Sequence, residues 1–149
     1  MFEAYIPLEV KSKIEAHFSK QAEKKLEAMG LLAGKVYEYN GKSYVVVEDY
    51  LTGSLRASSV SVKFNEETLG LIAGKIGDRI IIGWVHSHPG YGCFMSSTDI
   101  KTQKSYFSKS FNIAGVFDPT RKEGSEMLKR FYRLDGETYK EISFAVFKK

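Results

Sequence analysis

Cysteine, proline and tryptophan are scarce in this 149-residue chain, which has one cysteine, three prolines and one tryptophan. A single cysteine excludes an internal disulfide framework and fits a reducing compartment. The prolines are scattered, and neither a repeat nor a low-complexity linker separates one part of the chain from another. No apolar run approaches the roughly 20 residues that a membrane helix requires. Met1-Phe2-Glu3-Ala4-Tyr5 also lacks the charged-then-apolar pattern of a signal peptide. The expectation is a cytoplasmic protein with no membrane partner. Charge of one sign is lacking too: 22 Lys plus Arg stand against 18 Asp plus Glu, a net +4. Lys11, Lys13, Lys20, Lys24 and Lys25 alternate with Glu9, Glu15 and Glu23 and read as the solvated face of a helix, so nucleic acid is not an expected partner.

What is present suits one domain, residues 1–149, around one core: 43% of the residues are hydrophobic and 13% aromatic. Leu8, Val10, Ile14 and Phe18 form a helical stripe running toward Leu26, with Pro7 at the first turn. Met29 to Tyr39 and Ser43 to Leu51 read as strands flanking Asn40-Gly41, a strong hairpin signal. Asn65 to Thr68 caps a helix carrying Leu69, Ile72 and Ile76, which should end near Gly77. Arg79 to Val85 is apolar and β-branched and predicts a buried strand. A helix from Asp99 to Phe107 and a strand from Phe111 to Phe117 follow. Asp118-Pro119-Thr120 reads as a turn, and Glu126 to Leu134 pairs through Asp135-Gly136 with Thr138 to Phe147. The pattern is α/β, a mixed sheet flanked by helices, with strand order left open.

One short stretch carries chemistry. His86-Ser87-His88-Pro89 follows the buried strand, and Ser96-Ser97-Thr98-Asp99 opens the next helix. Residues i and i+2 of a strand share a face, so His86 and His88 project together. Pro89 ends the strand, and Gly90 and Gly92 let the chain turn back to present Asp99. Two imidazoles and a carboxylate are a common catalytic zinc set, because three protein ligands leave the fourth tetrahedral position for water. One Zn2+ per chain is expected. Ser96 can also cap the helix, and Asp99 suits its positive end.

The gapless run from His86 to Asp99 resembles the signature of the JAMM (MPN+) metalloproteases. Glu27-Ala28-Met29-Gly30-Leu31-Leu32-Ala33-Gly34 resembles the upstream segment that carries that family's catalytic glutamate, and Val116-Phe117-Asp118-Pro119 its downstream strand end. The likeness covers residues 5–135, and the Gly-Tyr-Gly-Cys stretch is most like that of the deubiquitinating members of the proteasome lid and the signalosome. It implies a single JAMM/MPN domain with a cytidine-deaminase-like α-β-α arrangement and an isopeptidase activity. It makes Glu27 the general base, which takes a proton from the zinc-bound water and delivers it to the leaving amine. Ser96, lacking a base and orienter of its own, is better suited to donate to the developing oxyanion than to act as nucleophile.

The resemblance also assigns recognition. Residues 52–62 correspond to the family's first insertion, and Ser59, Val60 and Ser61 within it are expected to pair as a strand with the extended tail of a modifier. That segment is expected to be mobile until the tail binds. Tyr91 and Phe94 are expected to wall a narrow tunnel for a Gly-Gly end, with Cys93 between them either packing the loop or touching substrate. Ser87 points to the opposite face of the strand, Trp84 is expected in the core, and His17 reads as an ordinary helix residue. The implied partners are ubiquitin-like modifier proteins and their conjugates. An alternative substrate is a sulfur-carrier precursor whose C-terminus is trimmed to Gly-Gly. A non-catalytic scaffold module would have lost a ligand or the glutamate, and none is missing. The chain stops soon after the Thr138 strand, and Lys and Glu are abundant, so a free-standing prokaryotic or archaeal enzyme is expected. Monomer and homodimer are both compatible with the sequence.

Overall fold

The computed structural model describes residues 1–52 and 76–149. In chain order the elements are β1 (Ala4–Pro7), α1 (Leu8–Glu23), β2 (Met29–Tyr39), β3 (Lys42–Leu51), β4 (Ile80–Ser87), α2 (Ser97–Tyr106), β5 (Ile113–Glu123), β6 (Glu126–Asp135), β7 (Thr138–Ile142) and β8 (Phe144–Phe147). The strands form one sheet in the order β7-β6-β5-β4-β2-β3-β1-β8. It is mixed: β1 runs parallel to β3 and β8, and β4 parallel to β5, while the remaining pairs are antiparallel. Among the described residues no helix is long and apolar enough to cross a membrane. The expected helix after Asn65 and the segment with Ser59, Val60 and Ser61 lie outside the described residues.

The two faces of the sheet carry different layers. Val10, Ile14 and Phe18 of α1 pack with Val45, Val47, Val85, Ile113, Phe117 and Phe131 into one buried cluster. Met29, Leu31, Trp84, Ala114, Val116 and Tyr132 form a second cluster, to which Ile100 of α2 adds. Neighbouring residues such as Val116 and Phe117 enter different clusters, as alternation along a strand requires. The hairpin at Asn40-Gly41 has positive φ at both residues (51° and 76°), the geometry of a type I′ turn. Gly30 and Gly34 are close-approach sites on β2. A Cβ on Gly30 would stand 2.2 Å from the Tyr50 ring, and one on Gly34 2.0 Å from the Val46 carbonyl oxygen.

Residues 4–7 form a strand that the sequence reading leaves unassigned, β1, whose pairing comes entirely from distant β3 and β8. Three expectations need correction. Asp118-Pro119-Thr120 is not a chain reversal, because β5 continues to Glu123 and absorbs these residues as a register shift against β6. Thr138 to Phe147 is two strands, not one. The chain breaks at Ser143, so β7 closes one edge of the sheet and β8 the other. Lastly, Lys11 is not on a solvated face. It is buried, with its ammonium 2.6 Å from Glu126 and 3.5 Å from Glu15, an ion pairing that lets its aliphatic stem cover apolar surface.

Candidate metal centre and its cleft

Strand β4, with His88 just past its end, delivers Trp84, His86 and His88 to the α2 side of the sheet. The Trp84 indole is stacked on the His86 ring, with centroids 4.3 Å apart and planes at 14°, and its Nε1 donates to Gln103 of α2. This holds the imidazole flat against a rigid wall. His86 Nε2, His88 Nε2 and Asp99 Oδ2 then form a nearly equilateral triangle with sides of 3.1, 3.1 and 3.2 Å. A tetrahedral zinc with ligand bonds of about 2.0–2.1 Å sets its ligand atoms about 3.3 Å apart, so the donor set matches that ion in kind, number and spacing. The residues could hold a metal, and all three are buried or nearly so.

Asp99 is placed by the start of α2. Ser96 is the N-cap, its Oγ accepting from the Asp99 N–H at 3.1 Å while the Ser96 N–H donates to Asp99 Oδ2 at 2.9 Å, a reciprocal capping box. Burial alone would raise the Asp99 pKa, but the hydrogen bonds of His86 and His88, the charge of His86 and the Ser96 N–H hold it far below the usual carboxylate range. Asp99 therefore stays an anion, as a ligand must. Because the Ser96 oxygen already accepts from the helix, its hydroxyl proton is left to donate elsewhere.

His88 is oriented through its other ring nitrogen, with Nδ1 3.3 Å from the Gly92 carbonyl oxygen and its backbone N–H donating to Phe117 O at 2.8 Å. His86 Nδ1 is buried and finds no hydrogen-bond partner among the described residues. Glu27 precedes β2 and is 8% exposed. Its segment is pinned to β4 by Ser87, whose N–H donates to Ala28 O at 2.9 Å and whose Oγ accepts from Ala28 N at 2.8 Å. Ser87 thus faces away from the triangle, as alternation predicts, and fixes the acidic residue's backbone. The Tyr91 hydroxyl donates to Glu27 Oε1 at 2.5 Å, and this bond, with burial second, pushes the phenol up to about 12.

Glu27, His86, His88, Tyr91, Phe94, Ser96 and Asp99 line a single cleft of ≈ 230 Å³ at the carboxyl end of β4, where its parallel pairing with β5 ends. Ligand sites in open α/β sheets commonly lie there. Tyr91 and Phe94 are half exposed beside the His88 ring, at centroid distances of 5.2 and 4.9 Å. Cys93 departs from the substrate-contact expectation. Its thiol turns away to the carbonyls of Val116 (3.1 Å) and Leu128 (3.7 Å), and burial pushes it up to about 11. His17 lies away from the cleft, its Nδ1 2.6 Å from the Tyr50 hydroxyl. Sequence reading missed Thr98 and Thr102, which line the cleft from α2, and Gln103, which fixes Trp84. Their positions one before, three after and four after Asp99 on a helix were the available signal.

Comparison with known proteins agrees with this geometry. Residues 3–110 match the family model described as JAB1/Mov34/MPN/PAD-1 ubiquitin protease. The chain is 38% identical over 101 residues to the 26S proteasome non-ATPase regulatory subunit 14 of Dictyostelium discoideum, covering 63% of this chain and 32% of that one. It is 32% identical over 115 residues to the ubiquitin carboxyl-terminal hydrolase RPN11 of Saccharomyces cerevisiae, covering 73% and 37%. It is also 33% identical over 106 residues to COP9 signalosome complex subunit 5 of Oryza sativa subsp. japonica, covering 64% and 28%. The chain therefore spans about a third of the length of these relatives. In fold it matches the solution structure of a Desulfitobacterium hafniense protein, with a TM-score of 0.73 at 16% identity over 98% of this chain and 94% of that one. With its sheet, its two described helices and its His-His-Asp group in place, the chain belongs to the JAB1/Mov34/MPN/PAD-1 family.

Proposed function

We propose that this protein is a zinc-dependent isopeptidase that hydrolyses the bond after the C-terminal Gly-Gly of ubiquitin or a ubiquitin-like modifier. The observation that carries the reading is the donor triangle of His86, His88 and Asp99 in the same cleft as the buried carboxylate of Glu27. His86, His88 and Asp99 would hold the zinc ion, which when bound would acidify a water and polarise the scissile carbonyl. Glu27 takes the proton and passes it to the departing lysine amine, and its burial beside the Ser87-pinned backbone keeps it aimed. Ser96, whose oxygen is engaged by Asp99 N, donates its hydroxyl proton to the carbonyl oxygen as negative charge grows there. Tyr91 occupies only one oxygen of Glu27, which leaves the other to take the proton, and it lines the cleft with Phe94 for a slender glycine tail. Relatives named as a ubiquitin carboxyl-terminal hydrolase and as proteasome subunits support this substrate class.

The test is incubation of zinc-loaded protein with a panel of Gly-Gly-terminated modifier conjugates and precursors, with the new C-terminus read by mass spectrometry. Free Gly-Gly carboxylate together with unmodified lysine is the expected product, and chelation should stop its release. Cleavage of precursor tails alone would replace the isopeptidase reading with one of sulfur-carrier trimming. No cleavage of either by zinc-loaded protein would reject both.

A further inference from the structure

The loop that joins the two halves of the candidate metal centre is held from outside it, by a residue on another strand. Gly90 (φ 96°) and Gly92 (φ 77°) take left-handed conformations that point their N–H groups to one side of the loop. Both N–H groups are received by the Asp118 carboxylate at the end of the apolar part of β5. Gly90 N donates to Oδ1 at 3.1 Å and Gly92 N to Oδ2 at 2.8 Å. Thr120 fills the remaining positions on Oδ1 through its N–H (2.9 Å) and hydroxyl (2.7 Å). The side chain of Asp118 is fully buried, so these bonds carry the charge in the absence of water. Arg121 straps the outside, with Nε 3.5 Å from Asp118 Oδ2 and Nη2 donating to Gly90 O at 2.9 Å. Gly92 faces both ways: its N–H goes to Asp118, while its carbonyl oxygen, in the next peptide unit, lies 3.3 Å from His88 Nδ1.

We propose that Asp118 is a positioning residue for the metal centre. By fixing the backbone of Gly90 and Gly92 it keeps the Gly92 carbonyl where it accepts a hydrogen bond from a protonated His88 Nδ1, leaving Nε2 free as a ligand, and it sets the loop from which Tyr91 reaches Glu27. This rests on the metal-site reading above. A ligand histidine has two tautomers, and only the one protonated at the remote nitrogen can bind through the near one. In this chain the acceptor that selects the tautomer is the Gly92 carbonyl, and the carboxylate fixing the Gly92 backbone is 26 residues further along the chain. The hydrogen bonds of Asp118 go to Gly90, Gly92 and Thr120, not to the three ligand side chains. Its influence passes through Gly92.

The test uses full-length protein and zinc alone, with competition by a chromophoric chelator to measure affinity. Asp118→Ala and Asp118→Asn should weaken zinc binding by about 10–100-fold, and Arg121→Gln, on an exposed side chain that the fold does not need, should give a smaller loss in the same direction. Nitrogen chemical shifts of the His88 ring provide a readout that a general loss of stability does not move. Zinc-loaded wild type should show a protonated Nδ1 and a ligated Nε2, and the Asp118→Asn protein, measured well below its melting temperature, should show mixed tautomers and faster exchange of the Nδ1 proton. Wild-type zinc affinity in the Asp118 variants, or an unchanged His88 spectrum, overturns the proposal while leaving the metal site intact. A folded wild-type protein that takes up no zinc overturns both. If Asp118→Ala does not fold, Asp118→Asn and Arg121→Gln decide the matter.

Discussion

Trp84 and Val85 are adjacent on β4 and enter different chemistries. Val85 joins the apolar layer under α1, among side chains such as Ile14, Phe18 and Phe117 that have almost no exposure. Trp84 turns to the α2 side, where its stack leads into His86, His88 and Asp99. The first face is held by contact area, which is non-directional and tolerates substitutions of similar volume. The second has an apolar cluster of its own, but the site on it is held by aimed bonds: the Ser96–Asp99 cap, the Gly92 carbonyl on His88 and the Tyr91 hydroxyl on Glu27. Apolar packing thus serves both faces, and the chemistry rests on directional bonds confined to one. Substitutions should divide the same way.

The largest effect should come from the bonded face. His88→Ala is expected to lose stoichiometric zinc and all measurable cleavage while the metal-free protein remains folded, checked by metal analysis beside thermal denaturation. A variant with one zinc per chain and full turnover would undo the assignment of the triangle. Glu27→Gln should come next, keeping its zinc but losing about 10²–10⁴-fold in rate, because the amide cannot take the proton. Single-turnover kinetics at matched zinc occupancy measure it, and a wild-type rate would return Glu27 to a purely structural role.

The packed face should answer in stability instead. Phe18→Ala removes a fully buried ring that meets Tyr50 and Phe117 edge-on. It should cost about 3–5 kcal/mol in denaturant unfolding and leave the zinc content of the folded fraction unchanged. An equal fall in zinc affinity would show that the faces are coupled. The smallest effect should be at Cys93, whose thiol is held up at about 11 by burial and therefore carries little thiolate near neutrality. Its alkylation should be much slower than that of a free thiol at pH 8 and should speed up as the pH approaches that value. Cys93→Ser should keep both zinc and turnover. Rapid alkylation at pH 7 that blocked cleavage would place the thiol in the site after all.

This division also explains what could be read in advance. His86, His88 and Asp99 were legible because strand alternation and a helix cap are local rules acting over a few residues. The Asn40-Gly41 turn was legible for the same reason. β1 was not, since four residues with little pattern of their own become a strand only when β3 and β8 arrive from far along the chain. Pro119 suggested a turn, but the bonds that Asp118 makes to Gly90, Gly92 and Thr120 turn that kink into an irregularity within β5. Lys11 looked solvated because a helical wheel cannot show Glu126 waiting across the sheet. Residues whose role depends on a partner in a distant element leave no trace at short range.

The stack of Trp84 on His86 has an experimental consequence. The chain has one tryptophan, and it lies 4.3 Å from a ring whose electronic state must change when a cation or a proton attaches to it. Every photon the protein emits from indole therefore originates beside the candidate centre. Loading, stripping and exchange of the ion should be visible in emission intensity and wavelength without any label, on the timescale of a stopped-flow mixer, and unfolding of the distant hairpin should be nearly silent in the same channel.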